Sequence, residues 1–263
     1  MNKQTKTTLA VILATSVASF AGTKALDTSM LTPAEPSVSG SVGVSVATGY
    51  IDKGREYDTH PVVQPWLNLA IPTTVEFMGT QSTIVLSTKQ NVHTESPKAD
   101  WWRSEVNAGL LMKRGRVSFL PSYELVTSPN HKFSKTESLN LCLGFDDTRL
   151  TPFALNPHVK TSISLKKNGL ENTGGAYYEV GIAPSVKVQT TKVTFPINLG
   201  VGANNFYAQN EHYGYTSVGV NTDTPLVKNV SLVTASTYVN TNEYSNNGKT
   251  SLWLTSAGIS VKF

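Results

Sequence analysis

The chain ends on SLWLTSAGISVKF, residues 251–263. Alternate residues sort this stretch into two faces. Phe263, Val261, Ile259, Ala257, Thr255 and Trp253 share one face; Lys262, Ser260, Gly258, Ser256, Leu254 and Leu252 share the other. A strand sends successive side chains to opposite sides. The segment therefore reads as a strand with one apolar face and one mostly small or polar face.

Working outward, the same alternation recurs from Val38 onward, in segments separated by turn-rich breaks. Twelve segments can be counted, near 38–50, 62–71, 82–92, 101–112, 116–126, 137–146, 152–165, 175–184, 192–202, 213–221, 228–239 and 251–263. In the first, Val42, Val44, Val46 and Tyr50 oppose Ser39, Ser41, Gly43 and Ser45. In the fourth, Trp102, Val106, Ala108, Leu110 and Met112 oppose Arg103, Glu105 and Asn107. The tenth and eleventh alternate poorly, and their facing is left open. Apart from the first residues, no stretch has the period of an amphipathic helix.

Apolar residues on one face and polar residues on the other suit a sheet closed on itself in lipid. In hydrocarbon every backbone N–H and C=O needs a partner, so strands cross only when the sheet closes. Segments of about ten residues match a tilted crossing. An even strand number puts both ends on one side. The breaks at 51–61, 93–100, 127–136, 166–174, 203–212 and 240–250 would then face outside and are mostly long and polar. Lys113-Arg114-Gly115-Arg116 and Asp147-Thr148-Arg149 read as tight inner turns, whereas 72–81 reads as a longer inner break. Trp102, Tyr178, Tyr238 and Trp253 would mark the outer rim, and Phe145, Phe153 and Phe263 the inner rim. The fold expected is all-β: a closed antiparallel transmembrane barrel of 12 strands over residues 38–263, with a polar interior.

The beginning of the chain sets the compartment. Lys3 and Lys6 precede the apolar run TLAVILATSVASFA, followed by small-residue cleavage options ending at Ala21 or Ala25. Residues 1–25 read as a secretory signal peptide. Residues 26–37, polar with two prolines, read as a periplasmic lead-in. Three of the 22 basic residues, Lys3, Lys6 and Lys24, lie in the leader with no acid, leaving 19 against 18 acidic residues. That near-neutral balance gives no support to nucleic-acid binding. One cysteine, Cys142, excludes an intramolecular disulfide and reads as a small filler.

The terminal strand, alternating and ending in Phe263, resembles the C-terminal strand of bacterial outer-membrane barrels. That resemblance implies recognition by the insertion machinery and pairing with the first strand, with Trp253, Val261 and Phe263 as targeting and rim residues. Residues 41–71 resemble the first hairpin of the TorF-like porins, through Tyr50, Gly54, Pro61 and Gln64. Lys53 stands where that family usually has Arg. The resemblance implies an outer-membrane barrel and a passive pore.

The inward faces carry Lys89, Arg103, Glu105, Glu124, His158, Lys160 and Glu179. With Arg114-Gly115 as a turn tip, Glu105 would sit opposite Glu124, about 5 Å apart at Cβ, where carboxylates repel. These residues read as a charged constriction that selects solutes, or equally as a salt-bridge lattice that fills the barrel. Paired catalytic carboxylates form a third reading. His60, His93, His131 and His212 fall in outer loops with no ligand-like local spacing. His158 with Ser162 or Ser164 would face the lumen, unlike a barrel lipase. Gly174-Gly175 and Gly200-Val201-Gly202 read as bends or close packing. No cofactor, metal or catalytic residue is assigned. The function expected is passive diffusion of small solutes through an integral outer-membrane barrel, with lipid and insertion machinery as partners. The alternatives are a non-conducting adhesin or structural barrel, and a barrel hydrolase.

Overall fold

The computed structural model describes residues 38–77, 80–94, 100–148, 150, 154–165, 175–203, 206, 213–242, 246 and 248–263. The leader, the lead-in, Phe153, Gly174 and His212 lie outside the described residues. Every regular element among the described residues is a strand. In chain order these are β1 (Ser39–Ala47), β2 (Tyr50–Asp52), β3 (Arg55–Asp58), β4 (Val62–Phe77), β5 (Thr80–His93) and β6 (Asp100–Arg114). There follow β7 (Val117–Thr127), β8 (Thr136–Phe145), β9 (His158–Ser164), β10 (Ala176–Ile182) and β11 (Ser185–Val188). The last are β12 (Thr191–Thr194), β13 (Ile197–Ala203), β14 (Tyr213–Val227), β15 (Val230–Thr241) and β16 (Ser251–Lys262).

Twelve strands close one antiparallel barrel in the order β1-β4-β5-β6-β7-β8-β9-β10-β13-β14-β15-β16. β16 returns to β1 in a register running from Ser41↔Lys262 to Ala47↔Ser256. Gly40 and Phe263 add a reciprocal pair of backbone hydrogen bonds at 2.9 and 3.0 Å. The terminal strand thus seals the barrel, as its alternation led one to expect. β11 and β12 form a hairpin beyond Pro184 and Pro196, which carry no N–H and interrupt the ladder.

The faces sort as the pattern requires. Val42, Val44 and Val46 are exposed, while Ser41 and Ser45 are buried. Trp253, Val261 and Phe263 also point outward, Trp253 being 66 % exposed. The exposed band is the one lipid would cover. The two ambiguous segments now have a facing. Tyr215, Ser217, Asn221 and Asp223 are buried, while Val218 and Val220 are exposed. On β15, Val233, Ala235 and Val239 are buried, and Leu232 and Tyr238 are exposed. The poor alternation of β14 has a local cause: a register shift between Gly200 and Val201 skips Gly214.

Several expectations are corrected. Trp102 is buried and Trp101 takes the outward position, because a bulge skips Trp102 between the pairs Asn91↔Arg103 and Val92↔Trp101. The β6–β7 turn is Gly115-Arg116, with Gly115 at φ +59°, so Arg114 pairs with Val117. Glu105 therefore faces Val126 and Glu124 faces Asn107; the two carboxylates are not opposed. The inner break at 72–81 is largely strand, since β4 runs to Phe77 and β5 starts at Thr80 across a shift between Pro72 and Glu76. The seventh segment is shorter than expected. Its strand begins at His158, and ahead of it the Asp147 carboxylate accepts the Leu155 and Asn156 N–H groups at 2.8 Å. Finally, the interior is not uniformly polar. Val233, Ala235, Val239, Leu252 and Leu254 form an apolar inner wall.

Candidate functional site

The apolar wall has a specific partner. The chain leaves β1 at Thr48-Gly49 and forms the β2–β3 hairpin, which folds back into the barrel instead of standing outside it. The turn is Lys53-Gly54, with φ +48° and +77°. Two positive φ values in a two-residue loop are the requirement of a type I′ turn. Gly54 is needed twice over, because a Cβ there would lie 2.2 Å from Tyr215 on the far wall. Tyr50 and Ile51 are each 2 % exposed and join the apolar cluster with Val239, Leu252, Leu254, Tyr177 and Tyr215. Tyr50, expected on the lipid face, is corrected to an inward residue because the chain turns at Gly49.

The other side of the hairpin meets the charged arc. Arg103 is 1 % exposed. Its Nε donates to Glu105 Oε1 at 2.8 Å and a terminal nitrogen donates to Asp52 Oδ2 at 2.9 Å. Its guanidinium carbon lies 5.2 Å from the ring centroids of both Tyr50 and Tyr57. The Tyr50 hydroxyl donates to Glu105 Oε1 at 2.5 Å. Burial pushes that hydroxyl well above the phenol range. Arg103 opposes the shift, and Glu105 and Asp52 reinforce it. It therefore remains a donor. Lys89, opposite Glu105 in the ladder, places Nζ 5.1 Å from the Tyr50 ring. Lys53 is buried, with Nζ 3.6 Å from Asp52 and 4.0 Å from Glu124. Glu124 also accepts from Asn140 at 2.8 Å.

A second group lies on β9, β10 and β14. Glu179 Oε2 accepts the Tyr177 hydroxyl and, at 2.8 Å, the Tyr215 hydroxyl. Its Oε1 lies 3.8 Å from His158 Nε2. Lys160 faces Glu179 in the β9–β10 ladder. The seven expected lumen residues therefore all face inward but fall into two clusters. Lys89, Arg103, Glu105 and Glu124 engage the hairpin; His158, Lys160 and Glu179 belong to the wall. Tyr215 joins the two, touching Gly54 and bonding Glu179.

Tyr50, Asp52, Lys53 and Tyr215 are functional candidates that the sequence reading did not assign to the lumen. A Lys-Gly pair between Tyr-Ile-Asp and Arg-Glu-Tyr was the available hairpin signal. His158 and Ser162 both face inward, about 13 Å apart along one strand. That spacing does not make a nucleophile–base pair. The base of the hairpin also brings together histidines that sequence spacing kept apart: His60 and His93 both contact Asp58. Cys142 faces inward and is buried, in keeping with a filler role.

No family model matches the chain, and no curated protein matches it by sequence. Solved structures share its fold. An outer-membrane channel from Pseudomonas putida F1 aligns with a TM-score of 0.57 at 9 % identity, covering 89 % of this chain and 100 % of that one. The Salmonella typhi outer-membrane phospholipase dimer with bound calcium aligns with a TM-score of 0.50 at 10 % identity, covering 88 % and 94 %. The KdgM porin in complex with disordered oligogalacturonate gives 0.48 at 12 % identity, covering 86 % and 99 %. At these identities the likeness is one of architecture. The chain has the closed-barrel fold of an outer-membrane channel and an outer-membrane phospholipase.

Proposed function

We propose that the protein is an outer-membrane porin that passes small solutes by passive diffusion, with the β2–β3 hairpin as the constriction. The observation that carries this reading is the charged arc from β5 to β10, built inside a closed barrel and met by a loop held through side-chain ties. A barrel serving only as a scaffold needs no such arc, and apolar filling would cost less desolvation. The P. putida channel supports the fold side of the reading. Export through the secretory route and insertion through the terminal strand complete the proposal.

The test is conductance of the refolded protein in planar bilayers, with charged and neutral solutes, for the wild type and for a chain whose residues 50–60 are replaced by a short Gly-Ser turn. Larger unitary conductance without the hairpin is expected. A folded barrel that stays silent in both forms would reject the pore. The same hairpin favours a second reading, a non-conducting barrel acting through its outer loops, and silence would leave that one standing.

A further inference from the structure

The base of the hairpin carries a polar cluster distinct from the lumen clamp. Asp58 ends β3, opposite Tyr50, and its side chain is 3 % exposed. The carboxylate meets two imidazoles. His60 Nδ1 lies 3.2 Å from Oδ1, and His93 Nδ1 contacts Oδ2. The His60 backbone N–H also donates to Oδ1 at 2.9 Å. His60 belongs to the limb leaving the hairpin. His93 ends β5 and belongs to the barrel wall, where its ring stacks on Trp102 at 5.1 Å. Asp100 on β6 faces His93 across the ladder. The charged and titratable groups at the carboxylate are thus the two imidazoles, with Asp100 paired to His93 across the β5–β6 ladder.

A buried carboxylate needs a partner. Histidine is the side chain whose charge changes between about pH 5 and 8. A charge-assisted bond is roughly twice as strong as a neutral one.

We propose that Asp58, His60 and His93 form a proton-operated latch that closes the hairpin over the lumen in acid and releases it as pH rises. The proposal deepens the channel reading and rests on it. The sign follows from linkage: the docked state binds protons on the imidazoles, so docking is strengthened at low pH and weakened as those protons leave. Glu56 and Lys249 form a further tie between the hairpin and the β15–β16 loop, and the Glu56 N–H donates to Asn246 at 2.9 Å.

The experiment compares the wild type with the His60→Gln/His93→Gln chain from pH 5 to 8 in two measurements. The first is open probability in planar bilayers. The second needs no conduction: a Lys53→Cys probe, in a Cys142→Ser background, is labelled from outside with a membrane-impermeant maleimide. A Ser134→Cys probe on an exposed loop corrects for the reagent's own pH dependence. The expected result is about tenfold greater opening and labelling at pH 8 than at pH 5, lost in the double variant. A pH-independent wild type overturns the latch, and so does a pH response that survives the double substitution. If the hairpin-deleted barrel is silent, the pore reading falls, and labelling alone then decides the latch.

Discussion

Replacing Arg103 by Gln should open the lumen. Arg103 ties the hairpin carboxylate Asp52 and the wall carboxylate Glu105 through separate nitrogens, at 2.9 and 2.8 Å. Its guanidinium carbon also lies 5.2 Å from the ring centroids of Tyr50 and Tyr57, which neighbour each other at 5.9 Å. Removing one partner of a buried ion pair costs about 3–5 kcal/mol when the charge left behind is uncompensated, and the low end applies here because Lys53 stays 3.6 Å from Asp52. Undocking relieves most of that cost by returning Asp52 to water. Against it stands the burial of Tyr50 and Ile51, about 1.5–3 kcal/mol each, so about 3–6 kcal/mol together. The two terms are of equal size. The substitution should therefore bring docking close to balance and shift the closed-to-open ratio by about a hundredfold. Open probability in planar bilayers reads this directly, and heat-modifiable gel migration confirms that the barrel has folded. Arg103→Lys should fall between, since one ammonium cannot serve two nitrogens' partners with the same fork. Asp52→Asn combined with Arg103→Gln should be less open than Arg103→Gln alone, as the stranded charge is gone. A folded Arg103→Gln barrel with wild-type open probability would refute the clamp.

Gly54→Ala should release the hairpin, because the added Cβ meets Tyr215 at 2.2 Å and the φ of +77° disfavours any side chain; more labelling at Lys53→Cys is the readout. Gly115→Ala should cost only about 1 kcal/mol, the strain of a positive φ, since nothing lies within 4 Å of the new methyl; denaturant unfolding of the refolded barrel measures it. Glu124→Lys should move ion selectivity toward anions in reversal-potential measurements, and an unchanged reversal potential would remove Glu124 from the conduction path. Burial pushes the Asp146 carboxyl up, but two hydrogen bonds from Thr148 and the nearby Lys113 and Arg116 outweigh it and hold the pKa below the usual value. Its contribution to folding is present above the ordinary carboxylate range and is lost as pH falls through the lowered value. Thr148→Val should move the Asp146 titration upward in NMR, and no movement would reject that cause.

The outward faces were legible because a half-lipid strand has a strict period of two, and Val42, Val44 and Val46 obey it. The same period misled at Tyr50, which stays in phase with those valines although the chain has already turned at Gly49. At Trp101-Trp102 a one-residue bulge flips the face, and two adjacent tryptophans give no local signal of which one is skipped. The Glu105–Glu124 pairing failed for a similar reason. Placing the turn one residue late, at Gly115-Arg116, moves every partner by two. Each miss is a change of phase, which a pattern shows only to within a residue.

The inward swing of the hairpin is illegible for a different reason. Its own residues suit an exposed turn, with Asp52, Lys53, Arg55 and Glu56 all charged. What draws it in is tertiary: Arg103 lies 51 residues along the chain from Asp52, and Lys249 lies 193 from Glu56. A loop made of apolar residues would have announced its burial, but it would also have stayed buried. Charged ties exchange with water at small net cost, so a plug held by them can leave without exposing a large apolar surface. Tyr50 and Ile51 resist, with Tyr57 packed against the same cluster, and the apolar β15–β16 wall is what they bury against. The composition that hides the hairpin from a sequence reading is therefore the composition that the proposed gate would need.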